Sequence, residues 1–380
     1  MNDMNDKIRV LMSVGSLGIG GTEQFVMNLF RNIDRERFDV DFVVFENDRL
    51  HYYQEITNTG SHVFFCDSNR VNKFHAAMER AIKVRNVLKQ NKYDIIHCHS
   101  CSFLGIIQSA IPGKFSKGVK VIAHTHSVGM PKNNPVDKML RRIVKYFTCV
   151  VIDYGFSCSD VASESKYTKR FIESDRHFII HNAIEVEKFL YSAELRTIVR
   201  EELSIMNNTT VIGHVGRLEH CKNHEFLLEL FSEYIKQNEN SCLLLVGDGT
   251  LRPALELKAE RLGIKEKVIF MGSQDHVERI YNAMDCFVMP SFYEGFPFVV
   301  VEAQINGLKV LLSDTITKTT NISGEVIYMS LNDSLIKWNE VISNKFIERI
   351  PIEVINQIKD DFDLVKETKR VERLYQKLVS

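Results

Sequence analysis

The chain has no excess of either charge sign, no long apolar run and no dinucleotide fingerprint, and each lack removes a class of function. Its 48 Lys and Arg stand against 49 Asp and Glu, a balance of −1 that argues against a protein gripping nucleic-acid phosphates. No apolar run approaches the roughly 20 residues that span a bilayer. The opening Met1-Asn2-Asp3-Met4-Asn5-Asp6 is polar and acidic, unlike a secretory signal. A G-x-G-x-x-G cannot be aligned without forcing, which argues against a dehydrogenase. The one C-x-x-C, inside His97-Cys98-His99-Ser100-Cys101, has no second ligand pair at zinc spacing, so this reads as a strand-end turn with no metal. Eight cysteines lie mostly inside apolar, strand-like runs and suit a reducing compartment. A cytoplasmic protein is the expectation.

What is present is alternation. At 380 residues the chain is long enough for two cores. Strand-like runs at 7–14, 39–45, 62–66, 93–97, 120–124 and 177–181 alternate with helical segments at 24–32, 74–90, 103–110 and 161–171. This predicts a parallel sheet covered on both faces. A more polar stretch follows, and the boundary falls near residue 185. Beyond it, strands at 210–215, 242–246, 268–271, 286–289 and 310–313 alternate with helices at 224–236, 252–262, 277–283 and 298–305. The prediction is two doubly wound α/β domains, 1–185 and 186–363, facing a central cleft. The last helix, 364–380, is placed as able to cross back to the first domain.

Polar clusters sit at the predicted strand ends. Gly20-Gly21-Thr22-Glu23 closes a glycine-rich turn where a ligand can approach the backbone. His124-Thr125-His126-Ser127 can present an imidazole to a sugar hydroxyl, and Ser159 or Asp160 can cap the helix after it. Lys114, Lys117, Lys120, Lys132, Lys138, Arg141, Arg142 and Lys145 face one acid, Asp137. Residues 139–147 mix basic and apolar side chains at helical spacing, which fits either an anionic membrane surface or a solvated basic helix.

The second half carries the denser signal. Its first strand ends in Gly216-Arg217-Leu218-Glu219-His220-Cys221-Lys222-Asn223, whose Arg and Lys can meet a diphosphate, one as a fork and one as a point charge. Gly247-Asp248-Gly249 is a second glycine turn at the same rim. Gly272-Ser273-Gln274-Asp275-His276-Val277 follows the third strand; its backbone can read a base edge, and Ser273 or Asp275 can cap the helix. The fourth strand delivers Ser291-Phe292-Tyr293-Glu294-Gly295-Phe296-Pro297-Phe298-Val299-Val300-Val301-Glu302. Pro297 suits a helix's first turn, and the amides of Phe298 and Val299 then favour an anion. Two carboxylates beside a phosphate need neutral partners, and the hydroxyls of a nucleotide sugar supply them.

G-R-L-x-x-x-K-N, then G-D-G, then E-x(7)-E together resemble the retaining glycosyltransferases of family 4, which have the GT-B fold. The resemblance covers nearly the whole chain, and Leu312-Ser313-Asp314-Thr315-Ile316-Thr317-Lys318 resembles the bacterial capsule and exopolysaccharide branch. It implies that Arg217 and Lys222 bind the diphosphate and that Phe298 and Val299 meet the phosphates. Glu302 would hold the ribose and Glu294 the donor sugar. His126 would lie near that sugar, with His124 the alternative, and Gly20 and Gly21 would let nucleotide and acceptor approach. Gly216, Gly247, Gly272, Gln274, Val277, Gly295 and Phe296 complete the expected donor-side set. Asn182-Ala183-Ile184-Glu185 departs from the family's Asn-Gly-x-Asp.

The implied reaction moves a sugar from a nucleotide diphosphate sugar, a UDP-sugar first, to a hydroxyl of a glycan or lipid-linked glycan with retention. No metal or other cofactor is expected, since no D-x-D stands beside the cations. Lys138, Arg141, Arg142 and Lys145 are the candidate membrane contacts. The rivals are a GT-B epimerase or phosphorylase and a non-catalytic partner subunit.

Overall fold

The computed structural model describes residues 7–48, 50–126, 135–345 and 348–380. The first six residues, Ser127 and Lys132 lie outside them. The chain forms two compact units, one running to Ala183 and completed by Leu364–Ser380, the other spanning Ile184–Asp363.

The first unit is built on β1 (Ile8–Val14), β2 (Phe38–Val44), β3 (Val63–Phe65), β4 (Ile95–Cys98), β5 (Lys120–Thr125), β6 (Tyr154–Ser157) and β7 (His177–Ile179), in the order β3-β2-β1-β4-β5-β6-β7. All pairings are parallel. Side chains alternate across such a sheet. Leu11, Ile96, Cys98, Val121 and Ala123 go to one face and pack with Val84, Val87 and Leu88 of the helix Lys73–Gln90. Met12, His97 and His124 go to the other. There they meet Phe25 of the helix Gly21–Asn32 and Tyr375 of the helix Leu364–Val379.

The second unit repeats the plan with β8 (Thr210–Val215), β9 (Ser241–Val246), β10 (Val268–Gly272), β11 (Cys286–Met289), β12 (Lys309–Ser313) and β13 (Ile327–Met329), ordered β10-β9-β8-β11-β12-β13. Its pairings are also parallel. In both sheets the strand order reverses once, between β1 and β4 and between β8 and β11. The loops leaving those neighbours depart toward opposite faces and open a crevice at the strands' carboxyl ends, where such sheets bind ligands.

Two predicted helices are broken. The segment 103–110 is a single α-turn followed by π-helix over Ile106–Ala110, where the Ile111 amide bonds back to the Ile106 carbonyl. Pro112 lacks the N–H that would continue the tighter ladder. The segment 161–171 stops at Lys166 because Tyr167 is extended and fully buried, its hydroxyl donating to the Ala123 carbonyl at 2.5 Å. Ser159, not Asp160, caps that helix by accepting from the Ala162 amide. The strands β6 and β13, of four and three residues, were not predicted.

Candidate active site

The second unit's rim is assembled backbone to backbone. β8 and β11 are neighbours, with Ile212 opposite Cys286. The Gly216 amide donates to the Val246 carbonyl at 2.9 Å, Gly247 to Gly272 at 2.8 Å and Leu218 to Asp248 at 3.0 Å. Gly247 is required twice over: its φ is +128°, and a Cβ there would sit 2.2 Å from the Gly216 oxygen. At Gly216 a Cβ would lie 3.2 Å from His214 Nε2 and in ordinary contact, 3.4 Å, with Lys222 Cε.

The loop after β8 is tied to the loop after β11. Phe292 donates its amide to the Cys221 carbonyl at 2.9 Å, and Asn223, left-handed at φ 56°, donates its side-chain amide to the Pro290 carbonyl at 3.1 Å. Ser313 and Thr315 hold the same loop at its start, both hydroxyls donating to the Ser291 carbonyl. The consequence is an ion pair between Lys222 Nζ and Glu294 Oε1 at 2.6 Å, with the side chains 16% and 15% exposed.

The other predicted donor-side residues are placed less uniformly. Arg217 is 54% exposed and pairs with Glu219 at 2.9 Å, so the arginine and lysine expected to act together are separately partnered. Glu302 is 2% exposed and accepts from the Tyr281 hydroxyl at 2.7 Å. Burial, and then that carboxylate, pushes the Tyr281 phenol well above its usual range. Tyr281 was not singled out in the sequence, where it lies inside the predicted helix 277–283. Pro297 is the N-cap of the helix Phe298–Ile305 and not part of its first turn, which leaves the Phe298 and Val299 amides as the first helical donors. Gly295 opens this last stretch of loop. Phe296, placed among the donor contacts, is buried and stacks on Phe362 at 6.1 Å, so it anchors the loop from behind. Gln274 is exposed and turns back to the Met271 carbonyl at 2.9 Å. Val277 opens a helix capped by His276 without a side-chain bond, so the caps expected from Ser273 or Asp275 are not made.

Behind Lys222 lie two buried histidines that the sequence reading did not single out. Nδ1 of His214 donates to the Val288 carbonyl at 2.8 Å, and its ring meets His224 edge-on at 4.6 Å. Burial lowers His214 to about 4 and His224 to about 2.

At the crevice of the first unit, Gly20 is the extended N-cap of the helix Gly21–Asn32. Neither Gly20 nor Gly21 has a left-handed backbone, and a Cβ on Gly21 would meet nothing within 4 Å. Ser16 Oγ donates to Glu23 Oε1 at 3.1 Å and closes the turn. Opposite stand four imidazoles on one face, because His97 and His99 alternate along β4 and its end while His124 and His126 do so along β5. The two H-x-H spacings carry that signal. His99 and His126 bond at 3.0 Å, and His97 Nδ1 bonds the Tyr375 hydroxyl at 2.6 Å. His124 is fully buried and stacked on His126, whereas His126 is part-exposed and lies outermost. Burial drives all four below the usual imidazole range, His126 to about 3.

Ring nitrogens of His97, His99 and His124 fall within 4.8 Å of one another. The His97 and His124 planes, however, are parallel to within 3°, so their lone pairs run side by side instead of converging. Both nitrogens of His99 already have partners. The stack is therefore a poor ready-made cage for a cation. On the other sheet face Cys98 and Cys101 are buried in the core, and burial pushes the Cys101 thiol up to about 11, which leaves it inert.

The basic segment lies on the helix Pro135–Val151. Lys138 and Arg142 are exposed beside Met139, Ile143, Tyr146 and Val150, each more than half exposed and spaced along one helical stripe. Lys145 does not join them. Its ammonium donates to the Glu164 carbonyl, and burial lowers its pKa. Among the described residues no helix is long and apolar enough to cross a membrane.

Comparison with known proteins agrees with this frame. HepE of Anabaena in complex with UDP-glucose superposes with a TM-score of 0.78, covering 97% of this chain and all of that one at 17% identity. WaaG, a glycosyltransferase involved in lipopolysaccharide biosynthesis, gives 0.66 over 97% of this chain and 98% of its own. Two parallel-sheet units of this kind are the GT-B fold of glycosyltransferases. Residues 19–188 match the family described as Glycosyltransferase Family 4 and residues 196–324 that described as Glycosyl transferases group 1. EpsF of Bacillus subtilis (strain 168), named as a glycosyltransferase, is 29% identical over 88% of this chain and 87% of its own length. The UDP-Gal:alpha-D-GlcNAc-diphosphoundecaprenol alpha-1,3-galactosyltransferase of Escherichia coli is 24% identical over 94% of both chains. The chain belongs with the glycosyltransferases that these two models describe, which between them match residues 19–188 and 196–324.

Proposed function

We propose that this enzyme transfers a sugar from a UDP-sugar to a hydroxyl of a lipid-linked glycan during cell-surface polysaccharide synthesis, with retention and without a metal. The observation that carries the reading is the Lys222–Glu294 pair, held at the β8–β11 switch point beside the first turn of the helix Phe298–Ile305. A cation and helix amides there can take a diphosphate, while a carboxylate takes neutral hydroxyls. In this reading Lys222 and Arg217 stabilise the departing nucleotide, Glu294 binds the transferred sugar, and Glu302, fixed by Tyr281, holds the ribose. The galactosyltransferase named above uses UDP-Gal and an undecaprenol-linked sugar, which supports both substrate classes. No carboxylate is assignable as a covalent nucleophile, so the leaving phosphate is the base that receives the acceptor's proton.

UDP-sugars should raise the melting temperature more than GDP-, ADP- or dTDP-sugars. Saturation at a hundredfold excess over Kd is worth about 2.7 kcal/mol. Glu302→Ala should weaken UDP binding by about tenfold or more in calorimetry, on the scale of one charge-assisted hydrogen bond. Unchanged affinity in that variant would remove the ribose assignment, and a screen in which no UDP-sugar stabilises the protein would remove the donor.

A lipid-linked acceptor lies at an anionic bilayer, and the exposed stripe Met139, Ile143, Tyr146 and Val150 flanked by Lys138 and Arg142 suits that surface. Replacing both cations by Gln should cost about 2 kcal/mol of binding to vesicles with anionic headgroups. Co-sedimentation that is equal for the variant and the parent, or equal for anionic and zwitterionic vesicles, would refute the contact.

A further inference from the structure

The sheet of the second unit comes apart beside Lys222, and an imidazole fills the split. β8 and β11 pair at Ile212 with Cys286 and at Gly213 with Phe287. One residue further on, His214 takes over from the ladder, and its Nδ1 donates to the Val288 carbonyl at 2.8 Å. Burial lowers this ring to about 4, and the Lys222 charge lowers it too, so it is neutral at pH 7. A carbonyl only accepts, so the single proton is on Nδ1 and Nε2 carries a lone pair. That nitrogen is enclosed and has no hydrogen-bond partner among the described residues. His224, edge-on at 4.6 Å, does not supply one, since neither of its own ring nitrogens is bonded. A buried acceptor without a donor is costly.

The donor beside it is Lys222. His214 Nε2 and Lys222 Cε stand 3.2 and 3.4 Å from one point, the place a Cβ on Gly216 would take. The ammonium at the end of that stem is 2.6 Å from Glu294 Oε1, yet that oxygen accepts no aligned hydrogen bond. The pair is charge against charge, and the three N–H groups of the ammonium are not committed to it.

We propose that His214 is a positioning residue for Lys222: when the ion pair with Glu294 opens, His214 Nε2 accepts one N–H of the ammonium and aims the other two at the diphosphate. Donor binding opens the pair, because it draws Glu294 to sugar hydroxyls and Lys222 to phosphate. That step rests on the donor reading above; the contact between His214 and Lys222 does not. A neutral imidazole suits the task better than a carboxylate. It orients the cation without cancelling the charge that the departing nucleotide needs.

The test is nitrogen NMR of the whole protein with labelled histidine at pH 7.5, since an imidazole lone pair that gains a donor moves its nitrogen resonance upfield. In the free parent His214 should show a protonated Nδ1 and a bare Nε2. Glu294→Ala leaves Lys222 without its counterion and should move the Nε2 resonance upfield with no ligand present. Saturating UDP should do the same in the parent and not in Lys222→Met, which keeps the stem and loses the ammonium. A proton on Nε2 in the parent, or an Nε2 that stays bare in folded Glu294→Ala, would overturn the inference. If Glu294→Ala moves the resonance and UDP does not, the donor reading fails and the contact stands. Turnover of two variants tests the role independently. His214→Asn keeps a donor for Val288 without the acceptor, and should lower kcat about tenfold or more, the scale of one hydrogen bond to a charged group. His214→Gln offers an acceptor near the place of Nε2 without the donor, and should recover most of that loss even where it melts earlier. The reverse order, with Asn active and Gln not, would mean that the ring serves only the strand.

Discussion

Lys222→Ala should lower kcat by about 10²–10³-fold at saturating donor, the usual loss when one preorganised group at a developing negative charge is removed. The same substitution should also lower thermal stability. Glu294 is only 15% exposed, and without Lys222 it keeps a charge with no counterion at 2.6 Å. A partly buried carboxylate left alone costs more than the pair gained by forming. Arg217→Ala separates the two effects. Its partner Glu219 is 38% exposed and its own side chain 54% exposed, so the pair adds less than about 1 kcal/mol to folding. That variant should melt like the parent yet lose transfer. Turnover measured with the correct donor and acceptor, beside thermal melts, reads both predictions. Near-normal kcat in Lys222→Ala would sink the leaving-group role. A large fall in the melting temperature of Arg217→Ala would mean that the loop after β8 is more tightly held than its exposure indicates.

The architecture was legible because parallel strands buried on both faces read as short apolar runs. The strand at 210–215 and the helix at 298–305 fall where the runs place them. The strands β6 and β13 were lost, while β3 and β7, of three residues each, were found. The donor site was legible as residue types at strand ends, and two of them, Lys222 and Glu294, do meet. What the spacing could not carry is which partner each side chain finds. Arg217 pairs at 2.9 Å with Glu219, an acid two residues away on its own loop. Phe296 turns into the core because an aromatic ring beside Phe362 gains more from burial than from solvent. Tyr281 could not be foreseen as the partner of Glu302, since that contact depends on how the short 3₁₀ turn Tyr281–Ala283 packs against a helix residue twenty-one positions later. The histidines are the instructive case. His97-x-His99 read as a strand-end turn and His124-x-His126 as an imidazole offered to a ligand, and only the parallel pairing of β4 with β5 makes them one stack.

That stack predicts steep acid sensitivity. His97, His99, His124 and His126 are all held below the ordinary imidazole value by burial, and neighbouring rings in the stack add to the effect for the first three. His214 and His224 behave alike in the second unit. A base whose folded pKa is depressed is neutral in the folded chain while the unfolded chain takes up a proton below about 6.5. The stability these groups permit is therefore full above pH 6.5. It falls as the pH drops toward the folded values, about 3 for His126, about 4 for His214 and about 2 for His224. Within that window each imidazole removes about 1.4 kcal/mol per pH unit, and a domain's whole reserve is only about 5–15 kcal/mol. Four such groups in one unit should exhaust it within about one to three pH units below 6.5. Urea midpoints should thus be flat from pH 7 to 8.5 and fall steeply from 6.5 to 5. His124→Leu, which removes one enclosed imidazole and keeps an apolar side chain in its place, should reduce the slope for the first unit by about 1.4 kcal/mol per pH unit. Midpoints that stay level between pH 7 and 5 would mean that the rings take up protons in the folded state, and the stack would then not be the dry, neutral structure its burial describes.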